Sequence, residues 1–426
     1  MAIALATLSL AGSALAAPVE TVLYSFKGGS DGSDPAYAGV IADKQGALYG
    51  TTSAGGVGGG VVFMLTPPDN RHTSWVETVL HTFFSQSGGY QPVTGLLAFE
   101  DILYGVTTAG GNGSQYSNYG TVFDLTRKGQ NAWTESVLYG FNPSIGDGIG
   151  PRGRLIASDA GDVFYGTTFV GGSAGTGTVF KLTPPAHGQT VWTETVLHSF
   201  CSQPSCAAGI GDGSNPSSGL VAYEGSLYGT TEGGGSTGNG TVFKLTPNGT
   251  AWTYTVLYSF KGGSDGSDPF AGLVSDNHGT FYGTTTSGGI GSGGYFNNGT
   301  VFKITADGTE TIIYRFCPLP GCSDGAFPLA DLIISKSGAL YGTTAYGGLN
   351  NGGTIFKLTK PTNGQSVWNE TVLYRFGSKN SSDGVRPSAG LIASQGALYS
   401  TTQGGGTAGF GTVFKLMGSS FFEDSD

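Results

Sequence analysis

The chain has 426 residues, of which 77 are glycine and 12% are aromatic, while Asp, Glu, Lys and Arg together make up 11%. That balance gives enough apolar surface for a core and many tight turns, and excludes a disordered chain. A net charge of -10 with no Lys/Arg-rich run repels phosphate backbones, so no nucleic-acid partner is expected.

From the N-terminus, Met1 to Ala17 is a short apolar stretch that ends Ala14-Leu15-Ala16, the small-x-small pattern of a secretory cleavage site, although no Lys or Arg precedes it. Residues 1–16 are therefore read as a signal peptide, 17–418 as one folded unit and 419–426 as a tail. No other segment approaches the roughly 18 apolar residues of a membrane span, so no span is expected. The mature chain is expected outside the cytoplasm, secreted, periplasmic or at the cell surface, as a monomer.

The folded unit is a repeat. Seven segments read TVLYSF or a close variant and end at Phe26, Phe83, Phe141, Phe200, Phe260, Phe316 and Phe376, spaced by 57, 58, 59, 60, 56 and 60 residues. Each is followed by a loop reaching a proline (Pro35, Pro92, Pro151, Pro216, Pro269, Pro328, Pro387) and a short apolar run. Next come an LYGTT element centred on Tyr49, Tyr104, Tyr165, Tyr228, Tyr282, Tyr341 or Tyr399, a Gly-rich loop, and GTVFKLT. These are four short runs rich in Val, Thr, Tyr, Phe and Leu between Gly, Pro, Asn and Asp clusters, which reads as four antiparallel strands per unit. No sustained helical period occurs. The expected fold is all-β, a seven-bladed β-propeller.

Counting inner strands from Pro35 leaves the seventh unit, Pro387 to Leu416, without its outer strand, and Glu20 to Phe26 at the N-terminus supplies it. Docking the first strand into the last blade leaves no unpaired edge at the junction. Lys181 and Glu194, Lys303 and Glu310, and Lys357 and Glu370 recur at positions where a cross-strand pair is expected, and by the same register Lys415 should face Glu20.

The string of ALYGTT, Gly-rich loop, GTVFKLTP, TVLYSF, Asp-Gly and proline resembles the GloVer tandem-repeat family of exported bacterial proteins over Glu20 to Leu416, and the strand order is similar to NHL-type propellers. The resemblance implies the fold and export, and no particular activity. Members of that family usually carry a C-terminal anchor, whereas this chain ends Ser-Ser-Phe-Phe-Glu-Asp-Ser-Asp.

Cys201 and Cys206, and Cys317 and Cys322, read as two local disulfides in an exported chain. A zinc site is the alternative, but no further Cys or His stands at ligand spacing. His81 and His198 replace the Tyr of TVLYSF and read as structural. Matches to GxGxxG (Gly233 to Gly238) and GxSxG (Gly28 to Gly32) lack the helix that phosphate binding or a nucleophile elbow requires. All five Trp, at the starts of outer strands, read as packing residues.

Two loop sets remain, placed on one face of the disc by antiparallel order. Six of the seven outer-to-inner loops carry Asp-Gly: Asp31, Asp147, Asp212, Asp265, Asp324 and Asp383, with Asp34 and Asp268 adding two more. Each Asp either bonds its own loop's amides or joins a cation site, with Ca²⁺ the expected ion because carboxylates and carbonyls are hard oxygen ligands. The longest second-to-third loops hold Tyr116, Asn118, Tyr119, Tyr295, Phe296, Asn297 and Asn298, aromatics beside amides that suit a glycan. Three functions fit: a non-catalytic binding module for an extracellular glycan or protein, an extracellular lyase or glycosidase using the acidic face, or a purely structural surface protein.

Overall fold

The structure, a computed structural model, describes residues 17–37, 39–84, 88–111, 119–129, 132–187, 191–201, 211–289, 298–318, 321–361, 367–379 and 382–418. The expected signal peptide and tail lie outside these residues. Seven antiparallel sheets, each built on four strands, stand around a central channel as the blades of a propeller. Blade 1 runs from the axis outward through Val40–Ala42, Leu48–Thr52, Val61–Thr66 and Val76–Thr82. Blades 2 to 6 repeat this order, beginning at Leu97, Ile156, Val221, Val274 and Ile333. Blade 7 takes Ile392–Ser394, Ala397–Thr402 and Thr412–Met417 from the C-terminal end and its outer strand, Val19–Ser25, from the N-terminal end. Ser25 lies opposite Thr412 and Glu20 opposite Leu416, so the first strand closes the ring as the strand count predicts.

Several of the repeated residue types answer to a contact between blades. The Phe that ends an outer strand packs edge-to-face on the Phe of GTVFKLT in the next blade, and all seven seams have it, from Phe26 on Phe63 to Phe376 on Phe414, with centroids 5.0–5.3 Å apart. Such pairs add about 0.5–1.5 kcal/mol each beyond the area they bury. The Trp residues extend the seams: Trp133 meets Tyr49, Trp192 stacks on Phe164, Trp252 meets Tyr165 and Trp368 meets Tyr282.

LYGTT is explained residue by residue. Its glycine lies under the third-strand Phe, so that a Cβ on Gly342 would stand 2.6 Å from the Phe356 ring. Its first Thr crosses the seam: Thr167 Oγ1 donates to Ser218 O at 2.7 Å, and Thr401 Oγ1 to Pro35 O at 2.8 Å across the closure. Its second Thr stays in the blade, where Thr344 Oγ1 donates to Tyr346 O, accepts from Thr354 N and lies 2.8 Å from Thr354 Oγ1.

The expected Lys–Glu pairs do not form. Lys181 stands opposite Thr195, Lys303 opposite Thr311, Lys357 opposite Thr371 and Lys415 opposite Thr21, while Glu194, Glu310, Glu370 and Glu20 lie opposite Leu182, Ile304, Leu358 and Leu416. Side chains alternate faces along a strand, so this one-residue offset puts each Glu on the buried face. Lys357 instead lies over the second-strand Tyr341 and Lys415 over Tyr399. A β-bulge in every outer strand, at Leu80 between Val79 and His81 in blade 1, lets one strand present its Tyr or His to the seam on one side and its Glu, or Tyr254 in blade 4, to the seam on the other.

Candidate functional site

The outer-to-inner loop of each blade bridges to the start of its second-to-third loop, as Ser33 to Ala54 and Val385 to Gly404, which puts both loop sets on one face. The residue before each proline ties that face together. Asp34, Gln91, Asn215, Asp268, Phe327 and Arg386 all hold φ between 56° and 59°, a left-handed conformation unusual for such residues. Each donates its N–H to the preceding blade and accepts from its own second strand: Gln91 N reaches Gly59 O at 2.8 Å and Gln91 O accepts from Thr108 N at 3.1 Å. The backbone is thus the same in every blade, yet the side chains all but diverge.

A different set of residues that depart from the repeat lines the channel. A cavity of about 550 Å³ is lined by inner strands of all seven blades. One ring position, just before the buried Leu or Val of each inner strand, is Gly39, Gly95, Gly219, Gly272 and Gly390 in five blades, but Arg154 in blade 3 and Asp331 in blade 6. Glycine fits because neighbouring strands crowd there: a Cβ on Gly39 would lie 3.2 Å from Gly390 O. Asp331 Oδ1 accepts from Gly272 N at 2.6 Å, and Arg154 is exposed to the channel. At the mouth, Tyr37 of blade 1 reaches over to Phe270 of blade 5 with centroids 5.2 Å apart, and Arg152 lies 3.8 Å over the Phe169 ring. Glu232 accepts from Ser217 Oγ. Burial pushes its carboxyl above the usual range, while Ser217 and Arg152 pull it back and Asp268 raises it. Burial likewise raises the Tyr37 phenol, with Asp34 adding to it.

The Asp-Gly residues turn away from the channel, into the seams. Tyr24 OH and Lys27 N donate to Asp31 Oδ2 at 2.8 and 2.9 Å, and Tyr139 OH and Asn142 N donate likewise to Asp147 at 2.7 and 2.9 Å. Tyr258 serves Asp265, Tyr314 serves Asp324 and Tyr374 serves Asp383; His198 takes the Tyr role toward Asp212 at 2.7 Å. On the far side of these seams stands the Glu of the next blade, except beside Asp212, where Tyr254 takes its place and stacks on His198 with centroids 3.9 Å apart. Glu77, Glu310 and Glu370 have carboxyls raised to about 7 by burial and then by Asp31, Asp265 and Asp324, and Glu194 reaches about 8 by burial and then by Asp147. Among the described residues no three His, Cys, Asp or Glu side chains gather in a metal-binding group.

Of the loop residues expected to meet a glycan, Tyr116, Asn118, Tyr295, Phe296 and Asn297 lie outside the described residues. Tyr119 packs against the core between blades 2 and 3, and Asn298 is buried, its carbonyl accepting from Phe327 N. Cys317 and Cys322 form a disulfide; Cys206 lies outside the described residues. The channel residues belong to none of the repeated motifs in the sequence. The signal was there: two opposite charges at a position otherwise glycine.

The fold and its face define a seven-bladed propeller with a non-repeated channel lining. The chain belongs to the Gloeobacter/Verrucomicrobia repeat family, whose profile matches residues 15–210, 113–333 and 288–423. A search of curated protein sequences finds no match. Among solved structures the chain is similar to the extracellular domain of a putative one-component system from B. thetaiotaomicron, with TM-score 0.51, 10% identity, and 92% of this chain against 41% of that one. It is similar as well to the polysaccharide lyase Uly1, with TM-score 0.50, 11% identity, and 91% and 90% of the two chains covered. A putative oxidoreductase (glucose dehydrogenase) from Thermus thermophilus aligns over 94% of this chain and all of its own, at 15% identity and TM-score 0.44. At these identities the likeness concerns the fold alone.

Proposed function

We propose that the chain is an exported, non-catalytic binding module that takes a saccharide-type ligand at the mouth of its central channel. The carrying observation is that the side chains departing from the repeat meet there: the Tyr37–Phe270 pair across the opening, flanked by Arg152 and Glu232. Aromatic faces stack on sugar rings, and paired charged and hydroxyl groups bond their hydroxyls. Export is supported by the Cys317–Cys322 disulfide, a bond that persists in oxidising compartments.

A glycan array, run with and without Ca²⁺, tests this reading against the Tyr37→Ala/Phe270→Ala variant. Tyr37 is 42% exposed, so its removal leaves the core intact. Binding by the native chain that the double variant loses supports the proposal, and binding unchanged in the variant defeats it. Release of saccharide fragments by the native chain would instead support an enzyme.

A further inference from the structure

The two charges in the ring say more about the ligand, if the channel is where it binds. Arg154 and Asp331 occupy equivalent positions in blades 3 and 6, on opposite walls of the channel. They are not partners. Asp331 Oδ1 is engaged by Gly272 N of the adjacent blade, and among the described residues Arg154 makes no hydrogen bond or ion pair. Arg152, by contrast, is stacked on Phe169 and lies in the field of Glu232. Arg154 is therefore the cation left open in the cavity. It contributes nothing to the blade that glycine does not contribute in the other five, so a structural reason for it is lacking. In a chain of net charge -10, an open guanidinium inside a channel is a local exception to the overall field.

We propose that the channel selects a carboxylate-bearing saccharide, with Arg154 holding the carboxylate and Asp331, on the opposite wall, accepting from a sugar hydroxyl. A guanidinium presents two parallel N–H groups to a planar carboxylate, a fit that a neutral sugar or an ester cannot use. The cavity of about 550 Å³ falls within the range that encloses ligands of a few rings. This inference rests on the saccharide reading above and adds the charge of the ligand to it.

Isothermal titration calorimetry with trigalacturonate and with its fully methyl-esterified form tests it, on the native chain, Arg154→Gly and Asp331→Gly. Both substitutions install the residue found in five of the seven blades, and an unchanged melting temperature confirms that they leave the fold alone. The native chain should bind the acid at least about tenfold more tightly than the ester, as expected for a charge-assisted hydrogen bond. Arg154→Gly should erase that preference while still binding the ester, and Asp331→Gly should weaken both. Equal binding of acid and ester by the native chain, or a preference that survives in Arg154→Gly, overturns the inference and leaves the saccharide reading standing. Binding of neither probe at millimolar concentration counts against both.

Discussion

Glu194 of blade 3 faces Asp147 of blade 2 carboxyl to carboxyl, and its Oε1 is buried without a hydrogen-bond partner. The same oxygen is buried and unpartnered in Glu20, Glu77, Glu135, Glu310 and Glu370. Six outer strands thus carry a carboxyl whose neutral form suits its place better than its charged form. Where a cation faces the pair the conflict is smaller: Lys379 Nζ lies 3.0 Å from Glu20 Oε2, and Lys27 and Lys261 lower Glu77 and Glu310. Glu194, raised furthest, has no such cation.

Stability should therefore fall as the solution becomes alkaline. Glu77, Glu135, Glu310 and Glu370 are raised from 4.5 to about 7, and Glu194 to about 8. A carboxyl raised on folding costs nothing while both states are protonated, and its penalty grows as pH climbs from the unfolded value to the folded one. The melting temperature is expected to decline between about pH 5 and pH 8, and Glu194→Gln should flatten that decline with little effect at pH 5. A melting temperature that rises over this interval would contradict the seam chemistry.

The ring closure makes Phe26 a sensitive position. Its ring is fully buried, 5.2 Å from Phe63, in a strand held to the rest only by its pairing with Thr412–Met417 and its seam contacts. Phe26→Ala should cost about 3–5 kcal/mol, the usual loss for a buried aromatic. Removing residues 17–26 should do more, since it bares the outer edge of blade 7, and size-exclusion chromatography should then show association.

The threonine pairs give a contrast within one hydrogen bond. Thr344 Oγ1 donates to one carbonyl and accepts from one amide, whereas the same place on the third strand is already valine in blade 1, at Val61. Thr344→Val should cost about 1–3 kcal/mol by orphaning buried groups, and Thr412→Val well under that. Equal losses on chemical denaturation would show that the second-strand hydroxyl has no special place.

Blade number, strand order and closure were legible because each depends on residue types that repeat: the Phe of the seam, the Gly beneath it, the Thr that crosses to the next blade. The Lys–Glu register was not. It turns on a β-bulge near Leu80 and its counterparts, one extra residue that leaves no mark in composition and moves each Glu to the other face of its sheet. The Asp-Gly residues were placed on the right loops, yet their side chains fold back to Tyr24, Tyr139 and the others, because a buried phenol needs an acceptor and the loop's own acid is the nearest. Arg154 and Asp331 escaped notice for the opposite reason. They repeat nothing, and only the closed ring brings them to one channel.

Closing blade 7 with Val19–Ser25 also sets an order of events in synthesis. The first strand of the propeller must wait for Thr412–Met417, almost four hundred residues later. At about 5–20 residues per second that delay is of the order of tens of seconds. Until then six blades can stack neighbour upon neighbour while the rim stays open, and the final zipping of one seven-residue ribbon turns an arc into a wheel.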